Sequence, residues 1–319
     1  MFFSVFIPFL IFLVGVLVLI YSVEELVENI TKTAILGGVS TFILAVIFAG
    51  MDFENWVFGI ASILGGLPGI AIGSAFGSAY FLVGVAVAVA GLISPFEVEV
   101  DKDYLFLMLA SPLLVLPFLL NGSLTRLDGG LLLLIFGSII YYIYREERKG
   151  RETFRDEETE EAIKEIRKEE HGRSYYLLLV AIYLVGIIIG SELAVRGAKG
   201  IVSVLKLSQT IFGMTFVGAV MSLEEILLVL EPVRKERPSI AVGNILGSLI
   251  FFSTGNIGLI AITKSFYIDP LVLSFYWPIL LISTVITAIF LYKGKIKRLE
   301  ALLLGILYVI YWIANYNFL

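Results

Sequence analysis

Cysteine is absent from this 319-residue chain, and histidine occurs once, at His171. Those absences exclude a disulfide framework, a zinc finger, an iron–sulfur cluster and a catalytic Cys/His pair. Any metal chemistry must use oxygen or the thioethers of the five methionines. Charge is scarce as well, at 16% of residues, with a net charge of −5 and no basic face, which argues against a nucleic-acid partner. No nucleophile–base pair, phosphate loop or intramembrane-protease motif is present, so the sequence does not read as an enzyme, and it calls for no organic cofactor.

What the chain has in abundance is apolar sequence. Hydrophobic residues make up 59% and there are 30 glycines, more apolar surface than a soluble domain can hide. At about 20 residues per membrane crossing, this suffices for about ten helices in a lipid bilayer. The run from Phe2 to Tyr21 lacks a basic leader and a small-residue cleavage site and continues into Glu24 and Glu25. It reads as a retained first helix, not a signal peptide.

Breaks between apolar runs place spans at 3–25, 33–60, 68–93, 104–120 and 128–144, then at 174–197, 208–231, 238–263, 270–292 and 297–316. The expected architecture is an all-α polytopic membrane protein of ten transmembrane helices, in two five-helix repeats, 1–144 and 174–319. The segment 145–173 holds 9 basic and 11 acidic residues and reads as a solvated helix or tether. An odd number of spans per half makes the repeats inverted. With 145–173 on the cytoplasmic side, 18 Lys and Arg fall inside and 5 outside, which puts both termini outside the cell membrane.

The repeat is visible at an offset of 170. Met51, Glu54, Pro68, Ile70, Ala71, Gly73, Gly77, Ser78 and Phe81 fall on Met221, Glu224, Pro238, Ile240, Ala241, Gly243, Gly247, Ser248 and Phe251. These matches concentrate on the second and third spans of each half. Inverted repeats typify secondary transporters, whose ion sites lie at the midplane between the halves.

Acidic side chains within such spans face a cavity or a partner. The first half offers Asp52 and Glu54 in Gly50-Met-Asp-Phe-Glu-Asn55, and the second Glu224 and Glu225 in Val220-Met-Ser-Leu-Glu-Glu225. Helical spacing groups Met51 with Glu54 and Asn55, and Met221 with Glu224 and Glu225. The following spans carry Gly73-Ser-Ala-Phe-Gly-Ser78 and Gly243-Asn-Ile-Leu-Gly-Ser248. Their glycines suit close helix packing, and Ser74, Ser78, Asn244 and Ser248 offer oxygens suited to a hard cation.

These motifs resemble the α-repeats of the calcium/cation antiporters, the family that includes the sodium/calcium exchangers, in which a G-T-S-[LF]-P-E helix precedes a G-N-x-x-G-S helix. The resemblance extends over nearly the whole chain in span count, linker position and repeat spacing. It implies a secondary cation antiporter in which Glu225, Ser222, Ser78 and Ser248 stand at ligand positions, with inorganic cations as cargo. Protein partners are not indicated. This sequence departs from the motif at several positions: Met51 and Met221 replace the threonines, Asn55 replaces one glutamate, and Glu54 and Glu224 replace the prolines. Leu82 and Phe252 replace the Asn/Asp one turn after the serine.

Two readings follow for the cation. Asp52, Glu54, Glu224 and Glu225 could together hold a hard ion, calcium by family default, exchanged for sodium or protons, if loss of proline leaves the helix rotated or unkinked. Alternatively the thioethers of Met51 and Met221 select a softer metal such as manganese, or merely fill space. Exchange of magnesium and a non-transporting ion sensor or scaffold on the same fold are the remaining alternatives.

Overall fold

The computed structural model describes residues 2–37, 51–149 and 172–317. Helix α1 spans Phe2–Leu36, α2 Phe53–Leu64, α3 Pro68–Ile93, α4 Lys102–Leu119, α5 Arg126–Glu147 and α6 Arg173–Leu205. In the second half α7 covers Gln209–Met221, α8 Glu225–Arg234, α9 Pro238–Thr263 and α10 Val272–Tyr292, and α11 covers Arg298–Asn317. Among the described residues eight helices are long and apolar enough to cross a membrane, nine if α7 and α8 count as one broken span. Helix α2 is a shorter apolar helix, and residues 38–50 of the expected 33–60 span lie outside the described residues.

The two halves reproduce each other in detail. Helices α3 and α9 each begin on a proline, Pro68 and Pro238, which suits a position whose N–H has no helical acceptor. Each then widens into a π-turn, Leu82–Ala86 and Phe251–Asn256. The turns before those prolines match bond for bond: Gly66 and Leu67 donate to Ile63 and Ser62, Glu236 and Arg237 to Val233 and Pro232. Gly66 and Glu236 both adopt positive φ, 78° and 60°.

Two short ribbons fix the relative sides of the loops. Strand β1 (Phe96–Glu97) pairs antiparallel with β4 (Lys295–Ile296), and β2 (Ser123–Leu124) with β3 (Phe266–Tyr267). Each ribbon joins a loop of one half to a loop of the other. Ribbons at two ends of the helices, each combining one loop from each half, are what an inverted repeat produces, because equivalent loops β1 and β3 then sit on opposite sides.

Helices α1 and α6 pack along each other by backbone contact. A Cβ added to Gly15, Gly190 or Gly197 would collide with the backbone of Ala194, Leu19 or Phe12. Their outward faces, including Leu17, Tyr21, Ile182 and Ile188, are exposed as lipid-facing apolar surface. Helices α3 and α9, in contrast, are buried on nearly every face, which places them at the centre.

Three sequence expectations change. Helix α1 runs eleven residues beyond the expected end at 25, since Glu28–Lys32 and Thr33–Asn29 contacts satisfy polar groups without breaking the helix. The segment 145–173 does not begin at 145, because α5 continues to Glu147 and buries Glu146 and Glu147, the latter accepting from Tyr104 Oη at 2.6 Å. Most of the expected linker, residues 150–171, lies outside the described residues. Finally, losing proline does not unkink the second-half motif: α7 and α8 meet at a 40° bend, with Ser222 at φ −118°, ψ 18°.

Candidate ion-binding site

Glycine sets the approach of the helices that carry the site. A Cβ on Gly73 would lie 2.8 Å from the Gly213 backbone, and one on Gly218 would lie 2.6 Å from that of Gly77. Helices α3 and α7 therefore cross in backbone contact, as small-residue stripes allow. Helix α7 widens into a π-turn at Gly213–Val217, and such a turn leaves carbonyls outside the ordinary ladder. Tyr311 Oη on α11 donates to Met214 O at 2.8 Å, and Ser78 Oγ on α3 donates to Gly218 O at 3.4 Å.

Asp52 is the hub of the first-half motif. It caps α2, its Oδ1 accepting from the backbone N–H of Asn55 at 2.6 Å, as short polar residues do at a helix start. Its Oδ2 accepts from Asn55 Nδ2 at 3.1 Å, and the same amide donates to Ser78 Oγ at 2.5 Å. The carboxyls of Asp52, Glu54 and Glu224 each bring an oxygen to within 4.8 Å of the other two. Asp52 and Glu54 are buried and Glu224 is half-buried.

The second-half motif places Glu225 at the start of α8, 1% exposed. Its Oε2 accepts from Asn244 Nδ2 at 2.8 Å. Ser248 Oγ, one turn further along α9 from Asn244, is buried and has no hydrogen-bond partner among the described residues. Three carboxyls from the two halves, Asp52, Glu54 and Glu224, thus meet, and Glu225 follows Glu224 directly in the chain. At an effective dielectric of about 20, two like charges about 4.8 Å apart repel by about 3 kcal/mol. Such a convergence calls for a cation or for protons.

Three of the expected ligand residues also carry unpaired buried oxygens. Asn55 Oδ1, Ser222 Oγ and Ser248 Oγ are buried and have no hydrogen-bond partner among the described residues. A buried polar atom left unpaired costs about 1–3 kcal/mol, and these are oxygens of the kind that bind hard cations.

Not every expected site residue joins them. Ser74 donates to Ala71 O at 3.0 Å within its own helix. Met221 is buried in an apolar cluster with Phe12, Phe58 and Phe212, and Met51 packs against the main core. Leu82 and Phe252 are fully buried in the π-turns. Sequence reasoning missed that Tyr311 and Ser78 bond the carbonyls of Met214 and Gly218. The glycines at 213 and 218 were the available signal, but a π-turn is not legible from residue types.

A membrane fold of two inverted halves, with carboxyls from both meeting at buried helix breaks, defines a polytopic cation transporter and not an enzyme. Residues 7–145 and 175–317 match the family described as sodium/calcium exchanger protein, and the chain belongs to that family. It is 27% identical over 285 residues to the inner membrane protein YrbG of Escherichia coli, covering 88% of this chain and 87% of the relative. It is 26% identical over 336 residues to the sodium/calcium exchanger MaX1 of Methanosarcina acetivorans, covering 94% and 96%. Among solved structures it resembles the sodium-calcium exchanger NCX_Mj soaked with 2.5 mM Na+ and 10 mM Sr2+. The TM-score there is 0.56 at 26% identity, covering 96% of this chain and 98% of that one.

Proposed function

We propose that the chain is a secondary antiporter that moves a divalent cation, calcium by family default, against sodium or protons. The observation that carries this reading is the meeting of Asp52 and Glu54 from one half with Glu224 from the other, beside the buried Glu225 that Asn244 holds at the start of α8. Asn55 and Ser78 are bonded to one another beside Asp52, and Ser222 and Ser248 carry buried unpaired hydroxyls at the family's ligand positions. Met221 is enclosed by apolar side chains, which favours a hard ion over a soft one. The chain's similarity to MaX1 and NCX_Mj, both sodium–calcium exchangers, supports the same cargo.

The two ions must compete for the same carboxyls, because independent sites would leave the fluxes uncoupled. Alternating access then requires the site to face each side in turn. The paired α1 and α6, in glycine-lined contact with each other and lipid-exposed on their outer faces, are suited to slide as a unit over the α2–α3 and α7–α9 core. The Lys/Arg asymmetry supports a ten-span cell-membrane topology with 145–173 in the cytoplasm and both termini outside.

The test is uptake of radioactive calcium into proteoliposomes under an imposed sodium or pH gradient. Uptake should require the gradient and should disappear in Glu225→Gln. Gradient-independent calcium levels in the wild type, or normal flux in the variant, would overturn the reading.

A further inference from the structure

The seam between α2 and α9 is polar where its counterpart in the other half is apolar. Asn55, Gly59 and Ser62 share one face of α2, because they follow one another at helical spacings of four and three residues. Helix α9 lies on that face: a Cβ added to Gly59 would come 2.7 Å from Ile260 Cδ1 and 3.6 Å from Asn256 Oδ1. The opposite face of α9, at Gly258, packs on Gly129 and Leu133 of α5. Asn256 therefore directs its amide into the α2 seam, against the glycine that lies between Asn55 and Ser62.

Polar atoms along this seam are unpaired. Asn55 Oδ1, Ser62 Oγ and both amide atoms of Asn256 are buried and have no hydrogen-bond partner among the described residues. Ser253 Oγ, in the same π-turn as Asn256, is unpaired as well. A buried amide without a partner is costly, and within a membrane span such a group faces a cavity or a ligand.

The other half shows what this joint needs for packing alone. At the offset of 170, Gly59, Ser62 and Asn256 correspond to Val229, Pro232 and Ala86. Asn256 and Ala86 are each the last residue of their π-turn, and α8 packs on the π-turn of α3 as α2 packs on that of α9. Val229, Pro232 and Ala86 are all buried. The fold thus closes the same joint with valine, proline and alanine, so packing does not account for the amide and the serine.

We propose that the α2–α9 seam is a hydrated passage by which cations reach the carboxyls from the side where α2 turns into α3, and that the α3–α8 seam is its dry counterpart. As a route for cargo it rests on the antiport reading; as a water-accessible seam it does not. Its side chains are neutral, so they replace water around a passing ion without trapping it. Asn55 joins the passage to the site, since its amide nitrogen is bonded to Asp52 and Ser78 while its oxygen is unpaired. Both exchanged ions use the passage, which leaves them in competition for the same carboxyls.

The chain has no cysteine, so single introduced thiols report on the seam without background. Full chains carrying Ser62→Cys, Asn256→Cys, Ala86→Cys or Val229→Cys are placed in nanodiscs, where both sides are open, and treated with a positively charged methanethiosulfonate. Such a reagent travels through water and reacts with the thiolate. Modification followed by intact mass should be at least about tenfold faster for Ser62→Cys and Asn256→Cys than for Ala86→Cys and Val229→Cys. Equal rates in the two pairs, or an unreactive seam pair, overturn the proposal. Should Asn256→Cys fail to fold by thermal melting, Ser62→Cys decides alone. In proteoliposomes the charge attached to Ser62→Cys should then cut calcium exchange by about tenfold or more; undiminished exchange after complete modification would overturn the passage. A wild type that exchanges nothing, with a seam that still reacts fast, would sink the antiport reading and leave the hydrated seam standing.

Discussion

Asn244 donates its side-chain amide to the Glu225 carboxylate at 2.8 Å. That bond ties α9 to the first turn of α8 and fixes the carboxyl at the helix break. Hydrogen bonds to charged groups are worth about 1.5–3 kcal/mol. Asn244→Ala should therefore raise the concentrations of calcium and of coupling ion needed for half-maximal exchange by about tenfold to a hundredfold. Flux measured against counter-ion concentration checks it.

The methionines should behave as packing. Met221 is 1% exposed among aromatic and aliphatic side chains, so Met221→Thr removes buried apolar volume and buries a hydroxyl. A loss of about 2 kcal/mol in stability is expected, with the calcium-to-manganese uptake ratio unchanged. A rise in that ratio would show that the thioether faces the ion.

Gly77→Ala should be severe. The added Cβ would fall 2.5 Å from the Met214 carbonyl oxygen, which Tyr311 already holds, and neither backbone can yield cheaply. Overpacking of this kind costs about 1–3 kcal/mol. Because Ser78 follows directly, the Ser78–Gly218 bond should break as well, and thermal stability and transport should fall together.

Glu236→Gly should stabilise. Its repeat partner is Gly66, and both sit at positive φ before the proline that opens the next long helix. Left-handed backbone costs a side-chain-bearing residue about 1 kcal/mol. Glycine should recover about half to all of that, read as a small rise in melting temperature with unaltered flux.

Much of this architecture was legible in the chain. The glycines at 73 and 77, the prolines at 68 and 238 and the acidic motifs repeat at one offset, and the structure uses the prolines equivalently, each opening a long buried helix. The small-residue stripes predicted close packing, and α3 lies against α7 accordingly. Other features depend on tertiary context. Asp52 reads as one acid among four, and only its cap on α2 and its bonds to Asn55 reveal it as the hub. The π-turns arise in apolar stretches that read as plain helix. Helix α1 passes its expected end because Glu28 and Lys32, four residues apart, satisfy each other on one face. Glu147 reads as linker charge until Tyr104, 43 residues earlier, is seen to bond it.

The central claim is that one locus between the halves is visited in turn by two kinds of cation. Trans-stimulated efflux tests it most directly: proteoliposomes loaded with radioactive calcium are diluted into media with no sodium at fixed pH, with sodium, or at varied pH. Efflux should be slow without a counter-ion, accelerate when sodium or protons are supplied outside, and lose that acceleration in Glu225→Gln. Efflux that proceeds equally fast with and without a counter-ion would contradict the account, because it would show a channel or uniporter in place of an exchanger.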